Sequence, residues 1–141
     1  MKTGIFIPWA SHAGIHMGAA GLDKKIGAVV ARLKKEYDLD IDMEPYKFKR
    51  FDGWGDAGTL SERIDNFADA LEHLEPGFYL FIEHPAVDSP EMQSIWHKGY
   101  EDVAMDRDWV TRVFTSKKVK QVIKKNGINL ISYGDLKKSR K

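Results

Sequence analysis

The hydrophobic positions along the chain follow two spacings in turn, which predicts alternating strands and helices. Residues 4–9, "GIFIPW", form a compact apolar run closed by turn residues, as is typical of a buried strand. From Leu22 onward the apolar residues recur at helical spacing, and basic residues fill the opposite face, so an amphipathic helix is predicted there. Its apolar positions are Leu22, Ile26, Val29, Val30, Leu33 and Tyr37.

The next segments predict a strand, a loop and a second helix. Residues 39–46 alternate apolar and acidic side chains, which indicates a half-exposed strand. Residues 47–58 are predicted to be a loop because of their glycines. Thr59 and Glu62 have the spacing of a capping box, and Pro76 with Gly77 is expected to end the helix. The apolar stripe of this helix is Leu60, Ile64, Phe67, Leu71 and Leu74.

The last part of the chain predicts two strands around a long loop and a helix. Residues 78–83, "FYLFIE", indicate a fully buried strand, and residues 84–115 read as a long loop with little periodicity, of the kind that is usually functional or carries local helices. Ser116 is expected to cap a helix that ends at Asn126–Gly127, and residues 128–132 form the last predicted strand. Val119, Val122 and Ile123 are its inward positions, and the basic tail of Lys137, Lys138, Arg140 and Lys141 is expected to be solvated.

The element order β-α-β-α-β-loop-α-β predicts a parallel α/β sheet, open or barrel-like, with right-handed crossovers. At 141 residues, the chain has the length of one domain spanning residues 1–141. The 43% hydrophobic and 30% charged fractions are those of a soluble globular protein.

Composition excludes several classes of function. The net charge of +1 gives no reason to expect binding to nucleic acid or an acidic membrane surface. The absence of cysteine excludes disulfides, thiolate metal ligands and a cysteine nucleophile. No apolar run approaches the ~20 residues of a membrane span, and the first apolar run is too short and aromatic for a signal peptide, so a cytoplasmic location is expected.

Three of the five histidines follow predicted strands. His12 and His16 come just after the strand at residues 4–9, and His84 comes just after residues 78–83. Ligands and catalytic groups gather at the carboxyl ends of parallel strands, so these imidazoles are expected at one rim, where they could bind a metal ion. His73 and His97 do not share this placement.

Simpler interpretations stay open for each of these residues. His12 and His16 could merely bond the backbone, and Pro85 could fix His84 as an ordinary strand-end residue. Four carboxylates could be ligands, bases or plain surface groups: Asp56, Asp88, Asp102 and Asp106. Three tryptophans in predicted loops could stack on sugars or pack beneath their own loops: Trp54, Trp96 and Trp109.

Three motifs in register resemble the YdjC-like (ChbG-type) carbohydrate deacetylases. They are "SHAGIHMG", "GFYLFIEHPAVD" and "VKQVIKKNGINLISYGDL". The resemblance covers essentially the whole chain, as the C-terminal half of such an enzyme. It implies a (β/α) barrel-like fold of the polysaccharide-deacetylase type, present here as a partial barrel.

By position, the resemblance implies roles for five residues. His16 and His12 resemble metal ligands, with Mg or Zn as the expected divalent ion, and His84 resembles a catalytic general acid or substrate contact. Asp106 and Arg107 fall where the family has an arginine-containing, substrate-binding stretch. A metal that polarises the amide carbonyl and activates water, with a histidine to protonate the leaving amine, suits removal of acetyl from N-acetylated sugars.

The chain departs from the family on its N-terminal side. It lacks the Asp-Asp pair and the Gly-x-His segment that supply further metal ligands there. We therefore expect a fragment of a longer protein, a split gene whose other half supplies these residues, or a degenerate remnant. Expected partners are the N-acetylated sugar and a missing N-terminal half or a second copy. The alternatives to a deacetylase are a non-catalytic sugar-binding or scaffolding remnant and an unrelated α/β protein with structural histidines.

Overall fold

The computed structural model describes residues 10–138. The predicted strand at residues 4–9 and the end of the basic tail lie outside the described residues. Within residues 10–138 there are six α-helices and two short parallel strands, and no closed barrel is shown. The predicted mixed α/β class and the parallel pairing of strands are therefore confirmed, and the barrel-like arrangement stays a prediction.

The elements follow one another in the order α1, β1, α2, β2, α3, α4, α5, α6. Short 3₁₀ segments lie at His16–Gly21 and Glu44–Tyr46. The bounds are α1 Lys24–Glu36, β1 Lys49–Arg50, α2 Leu60–Glu72, β2 Tyr79–Leu80, α3 Pro90–Gln93, α4 Val103–Thr115, α5 Lys117–Lys125 and α6 Tyr133–Lys138.

The chain forms two compact units. The described residues up to Pro45 and those from Leu130 onward make up one, here called the terminal unit. Tyr46–Asn129 make up the other, the central unit, which contains both strands and helices α2 to α5.

In the terminal unit, α1 confirms the first predicted helix. The Asp23 carboxylate caps it by accepting hydrogen bonds from the backbone N–H groups of Lys25 and Ile26, at 2.7 and 3.2 Å. Within the described chain no residue of α1 is buried, and Leu22 just before it is 84% exposed. The apolar face of α1 is not covered by another element of this unit and forms one side of an open groove of about 610 Å³.

The predicted strands at residues 39–46 and 128–132 are wrong. At the end of α1, Asp38 has a φ of 54°, and the Leu39 N–H bonds the carbonyl of Lys34 at 2.7 Å. After α5, Gly127 has a φ of 63°, and the Ile128 N–H bonds back to α5 at 3.0 Å. Both bonds are of the six-to-one type that ends helices, so these backbone groups bond to the preceding helix instead of a neighbouring strand.

In the central unit, β1 and β2 pair in parallel, with Lys49 opposite Tyr79 and Arg50 opposite Leu80. The Lys49 N–H bonds the carbonyl of Phe78 at 2.9 Å, and the Phe51 N–H bonds that of Leu80 at 3.2 Å. β1 lies within residues 47–58, for which a loop was predicted, so that prediction is wrong at Lys49 and Arg50. β2 covers only two residues of the predicted strand at 78–83, and it is half-buried, not fully buried.

Helix α2 confirms the predicted capping box. The Thr59 hydroxyl accepts from the Glu62 N–H at 3.2 Å, and the Glu62 carboxylate accepts from the Thr59 N–H at 2.9 Å. The helix ends at Glu72, before Pro76. Its inner face packs with α4 and α5 around a core that consists of Phe51, Phe67, Ala68, Leu71, Val113, Val119 and Val122.

The long segment at residues 84–115 carries local helices, which was one of the outcomes expected for it: it contains α3 and the 13-residue α4. The buried positions of α4 include Asp108 among apolar residues, so its sequence lacks a continuous apolar stripe. Asp108 forms an ion pair with Arg112 one turn later and accepts a bond from the Asp88 N–H at 3.4 Å. These partners explain how a carboxylate can occupy an inward position.

Ser116 joins α4 to α5. Its backbone N–H bonds the carbonyl of Val113 at 3.1 Å, which ends α4, and its hydroxyl accepts from the Val119 N–H at 3.1 Å, which begins α5. This confirms the cap predicted for α5. One residue thus ends one helix and starts the next.

Candidate functional site

A groove of about 530 Å³ lies where the chain leaves the carboxyl ends of β1 and β2. It belongs wholly to the central unit. This is the end of a parallel pair where α/β proteins place their ligands. The groove is lined by Phe48, Lys49, Arg50, Phe51, Asp52, Trp54, Leu80, Phe81, Ile82 and Glu83.

Trp54 and Glu83 connect the segments that follow the two strands. The indole N–H of Trp54 donates to the Glu83 carboxylate at 2.6 Å. The Trp54 ring lies 5.1 Å from that of Phe67 and 5.4 Å from that of Phe81. Trp54 therefore packs beneath its own loop while its polar edge fixes a carboxylate at the groove.

Arg63 of α2 is held between two tryptophans. Its guanidinium carbon lies 5.4 Å from the ring centre of Trp54 and 4.8 Å from that of Trp109, both within cation–π range. Trp109 belongs to α4, not to a loop as predicted. Arg63 Nη2 donates to Asp106 Oδ1 at 3.4 Å, whereas its buried Nε has no hydrogen-bond partner among the described residues.

Tyr100 is affected by the same Asp106 carboxylate that Arg63 contacts. Burial of the phenol raises the pKa of Tyr100, and the negative charge of Asp106 raises that pKa further. Glu83 also raises the pKa of Tyr100, while the positive charge of Arg107 lowers it. Tyr100 thus lies within electrostatic reach of three charged side chains, and we call Arg63, Glu83, Tyr100, Asp106 and Arg107 the charged cluster.

The segment after β2 is bound to the middle of α4. The Ala86 N–H donates to the carbonyl of Arg107 at 3.2 Å, and the Thr111 hydroxyl donates to the carbonyl of Ala86 at 2.6 Å. These bonds attach the segment that carries His84 to the helix that carries Asp106 and Arg107. The His84 side chain is exposed.

The two other predicted site histidines belong to the terminal unit. His12 is exposed, its Nδ1 lies 3.1 Å from the Ser11 hydroxyl, and its ring centre lies 4.3 Å from that of Tyr133. His16 begins a 3₁₀ segment, and its side chain lies outside the described part of the chain. The expected convergence of His12, His16 and His84 at one rim stays a prediction.

The described side chains contain no group of three or more histidines or carboxylates arranged to hold a metal ion. Catalytic zinc usually has three protein ligands, so these side chains do not by themselves fit a catalytic metal.

Sequence reasoning missed Arg63, Glu83 and Tyr100 as members of this site. A signal for Glu83 was available, because it is the only charged residue of the predicted buried strand at residues 78–83, and the structure places it half-buried. A carboxylate in an inward position of an extended segment needs a partner, and here that partner is Trp54. Arg63 and Tyr100 gave no such signal, because their contacts are made across the fold.

Comparison of the chain with protein-family models and with curated proteins finds no match. Across the described residues, every helix is too short or too polar to cross a membrane.

Proposed function

We propose that this chain is part of a metal-dependent carbohydrate deacetylase that removes acetyl groups from N-acetylated sugars. In this proposal the two parallel strands belong to a (β/α) barrel-like fold of which the chain forms a part. The proposal begins from the three motifs that resemble the YdjC-like carbohydrate deacetylases.

One structural observation carries the proposal furthest. The bond from the Ala86 N–H to the Arg107 carbonyl attaches the segment after β2 to α4, at 3.2 Å. Two stretches that the resemblance implicates separately, His84-Pro85 and Asp106-Arg107, are thereby carried by adjoining segments. The first of these stretches follows Glu83, which lines the groove at the carboxyl ends of the parallel strands, where a substrate is expected.

The described residues suggest how this end of the central unit would act on a sugar. Asp106 and Arg107 would bind the sugar, and His84, exposed beyond β2, would protonate the nitrogen that leaves when the amide bond breaks. Histidine suits this role because its charge changes near neutral pH.

The proposal gives His12 and His16 to the metal. A divalent ion such as Zn or Mg supplies a Lewis acid and an activated water in this type of hydrolysis. Two histidines are fewer than the three ligands of a catalytic zinc site, so further ligands must come from outside the described residues. For this reason we assign no step to the metal here.

The test is acetate release from chito-oligosaccharides by the chain combined with a segment that supplies the missing Asp-Asp and Gly-x-His residues, in the presence of Zn²⁺ or Mg²⁺, with sugar binding measured in parallel by calorimetry. His84→Gln should lower acetate release by about 10² to 10⁴ while sugar binding is kept. His73→Gln is the matched control, because His73 lies at the end of α2 and its Nδ1 lies 2.8 Å from the Asp69 carbonyl, outside the site. A combined protein that neither binds the oligosaccharide nor releases acetate contradicts the proposal.

A second candidate function is a non-catalytic sugar-binding remnant of the same fold. It shares with the first candidate the groove at the carboxyl ends of the parallel strands, and it needs no metal site. Sugar binding that is unchanged by a chelator and by His12→Ala or His16→Ala, with no acetate released, supports this second candidate over the first.

A further inference from the structure

We infer that Glu83 is the residue of the groove beyond β1 and β2 that accepts hydrogen bonds from the hydroxyl groups of a neutral sugar. In this arrangement Trp54 is the positioning residue that holds the Glu83 carboxylate in place. The choice of a sugar as the ligand rests on the function proposed above. The roles of Glu83 and Trp54 rest on the geometry and the charges of the groove alone.

A hydrogen bond joins the two side chains inside the groove that both of them line. The indole Nε1–H of Trp54 donates to Glu83 Oε1 at 2.6 Å. Glu83 Oε2 has no donor among the described residues and, unlike the buried Nε of Arg63, it reaches solvent. The groove of about 530 Å³ is of the size that holds small molecules, so a ligand in it can donate to Oε2.

The Trp54 indole is held on several sides, which fixes the direction of its N–H. Its ring centre lies 5.1 Å from that of Phe67 and 5.4 Å from that of Phe81. On α2, the Asn66 side chain donates to the Trp54 carbonyl at 3.2 Å, so the backbone is attached as well. The Glu83 carboxylate is therefore bound to a donor with little freedom to move. An acceptor that is already in position binds its ligand without the entropy cost of ordering it.

The charges of the groove favour a neutral ligand that carries hydrogen-bond donors. Its acidic residues are Asp52 and Glu83 and its basic residues are Lys49 and Arg50, so neither sign is in excess. Because the indole is a neutral donor, the Glu83 carboxylate keeps its charge and can accept strong hydrogen bonds from O–H groups. The aromatic rings of the groove supply apolar surface for the C–H groups of a sugar ring. A neutral molecule rich in hydroxyls therefore suits the groove better than an ion does.

The first experiment measures the affinity of the full chain for diacetylchitobiose by calorimetry, with circular dichroism to check that each variant is folded. Glu83→Gln keeps the size of the side chain and an acceptor for the indole, but it removes the negative charge. We expect it to weaken binding about tenfold, because hydrogen bonds to charged groups are stronger than those to neutral groups. Glu75→Gln is the matched control and should leave the affinity unchanged, since Glu75 is exposed and lies outside the groove.

The second experiment tests the positioning role of Trp54 in the same assay. Trp54→Phe keeps an aromatic ring but removes the donor that holds Glu83, so binding should weaken about threefold to tenfold. In the Glu83→Gln background the same replacement should have a smaller effect, because the two side chains act on the ligand as a unit. If Trp54 only supported the fold or stacked on the sugar, Trp54→Phe would weaken binding by the same factor in both backgrounds.

Proton–nitrogen NMR of the wild-type chain gives a measurement that does not depend on the folding of any variant. The indole N–H resonance of Trp54 should shift as diacetylchitobiose is added, with the midpoint found by calorimetry. The resonance of Trp96, which is 62% exposed and lies outside the groove, should stay in place. A Trp54 resonance that does not move at saturation overturns the roles of both Trp54 and Glu83.

The possible failures can be told apart. Unchanged affinity in Glu83→Gln overturns the role of Glu83 and leaves the deacetylase proposal standing. An equal effect of Trp54→Phe in both backgrounds overturns the positioning role alone. A wild-type chain that binds no diacetylchitobiose overturns the whole inference, because the groove belongs wholly to the central unit, whereas the deacetylase proposal is decided by acetate release from the combined protein. Binding that depends on Glu83 without any acetate release overturns the proposed function and supports the inference.

Discussion

Replacement of Gly53 by alanine should destabilise the central unit, because two core rings occupy the space that a methyl group would need. A Cβ at position 53 would lie 2.6 Å from Phe51 Cε1, 2.7 Å from its Cζ and 2.8 Å from Phe67 Cδ2. Carbon atoms in good contact lie about 3.5–4.0 Å apart, so the rings must move by about 1 Å. Phe51 and Phe67 are only 8% and 5% exposed and have little room to move.

The expected loss follows from two opposing effects. Overpacking a well-packed core costs about 1–3 kcal/mol. Replacing glycine by alanine restricts the unfolded chain and returns about 0.4–1 kcal/mol. With the middle of each range, the net prediction for Gly53→Ala is a decrease of about 1.3 kcal/mol in the free energy of unfolding, measured by urea titration with tryptophan fluorescence.

Gly58→Ala is the matched control for this prediction. A Cβ at position 58 would meet only the Glu62 carboxylate, at an ordinary 3.6 Å. Its stability should therefore be equal to that of wild type or higher by up to about 1 kcal/mol, because only the restriction of the unfolded chain is left. Equal urea midpoints for Gly53→Ala and Gly58→Ala would refute the reasoning, because they would mean that Phe51 and Phe67 do not enclose position 53.

Three further predictions concern the cap of α2 and the charged cluster. Thr59→Ala should lower the free energy of unfolding by about 1 kcal/mol through loss of the bond from the Glu62 N–H, and an unchanged urea midpoint would contradict this. Trp54→Phe keeps an aromatic ring but leaves the half-buried Glu83 carboxylate without its indole donor, so we expect a loss of about 1–3 kcal/mol by thermal or urea unfolding, reduced in Trp54→Phe/Glu83→Gln. The pKa of Tyr100 is raised in the folded state, so the phenol loses its proton at a lower pH in the unfolded chain than in the folded one. The contribution of Tyr100 to the free energy of unfolding should therefore be fully present below the ordinary tyrosine pKa of 10.0 and be lost as the pH rises above it. Tyr100→Phe should remove that part of the fall, and identical stability–pH curves above this value would contradict the prediction.

Helices with a continuous apolar stripe or a capping signal could be predicted from the sequence. α1, α2 and α5 have both, and Thr59 and Ser116 make the bonds that their spacing indicates. α4 was missed for a physical reason, since Asp108 interrupts its inward face and no side chain caps its start at Asp102. Its helix is supported by pairing with Arg112 and by packing, which a local pattern does not contain.

Strands were harder to predict, because a strand depends on a partner elsewhere in the chain. Residues 39–46 alternate apolar and polar side chains, but the Leu39 N–H bonds back to the end of the preceding helix and not to a neighbouring strand. Lys49 and Arg50 lie in a polar stretch, yet they pair with β2. The residues of the candidate site were also hard to predict from the sequence wherever they depend on partners elsewhere in the chain. His84, Asp106 and Arg107 could be singled out from motifs, but Arg63 and Tyr100 become related to Asp106 only once α2, the turn at residues 97–100 and α4 pack together.

Ser116 is the single residue between α4 and α5, so no further linker residues separate the two helices. An added residue at this point would turn α5 by about 100° around its own axis, because an α-helix has 3.6 residues per turn. Val119 and Val122, which are buried against the core, would then face away from it. The number of residues at this junction is therefore as strictly determined as their identity, and insertions should be tolerated far better in exposed loops of the chain than here.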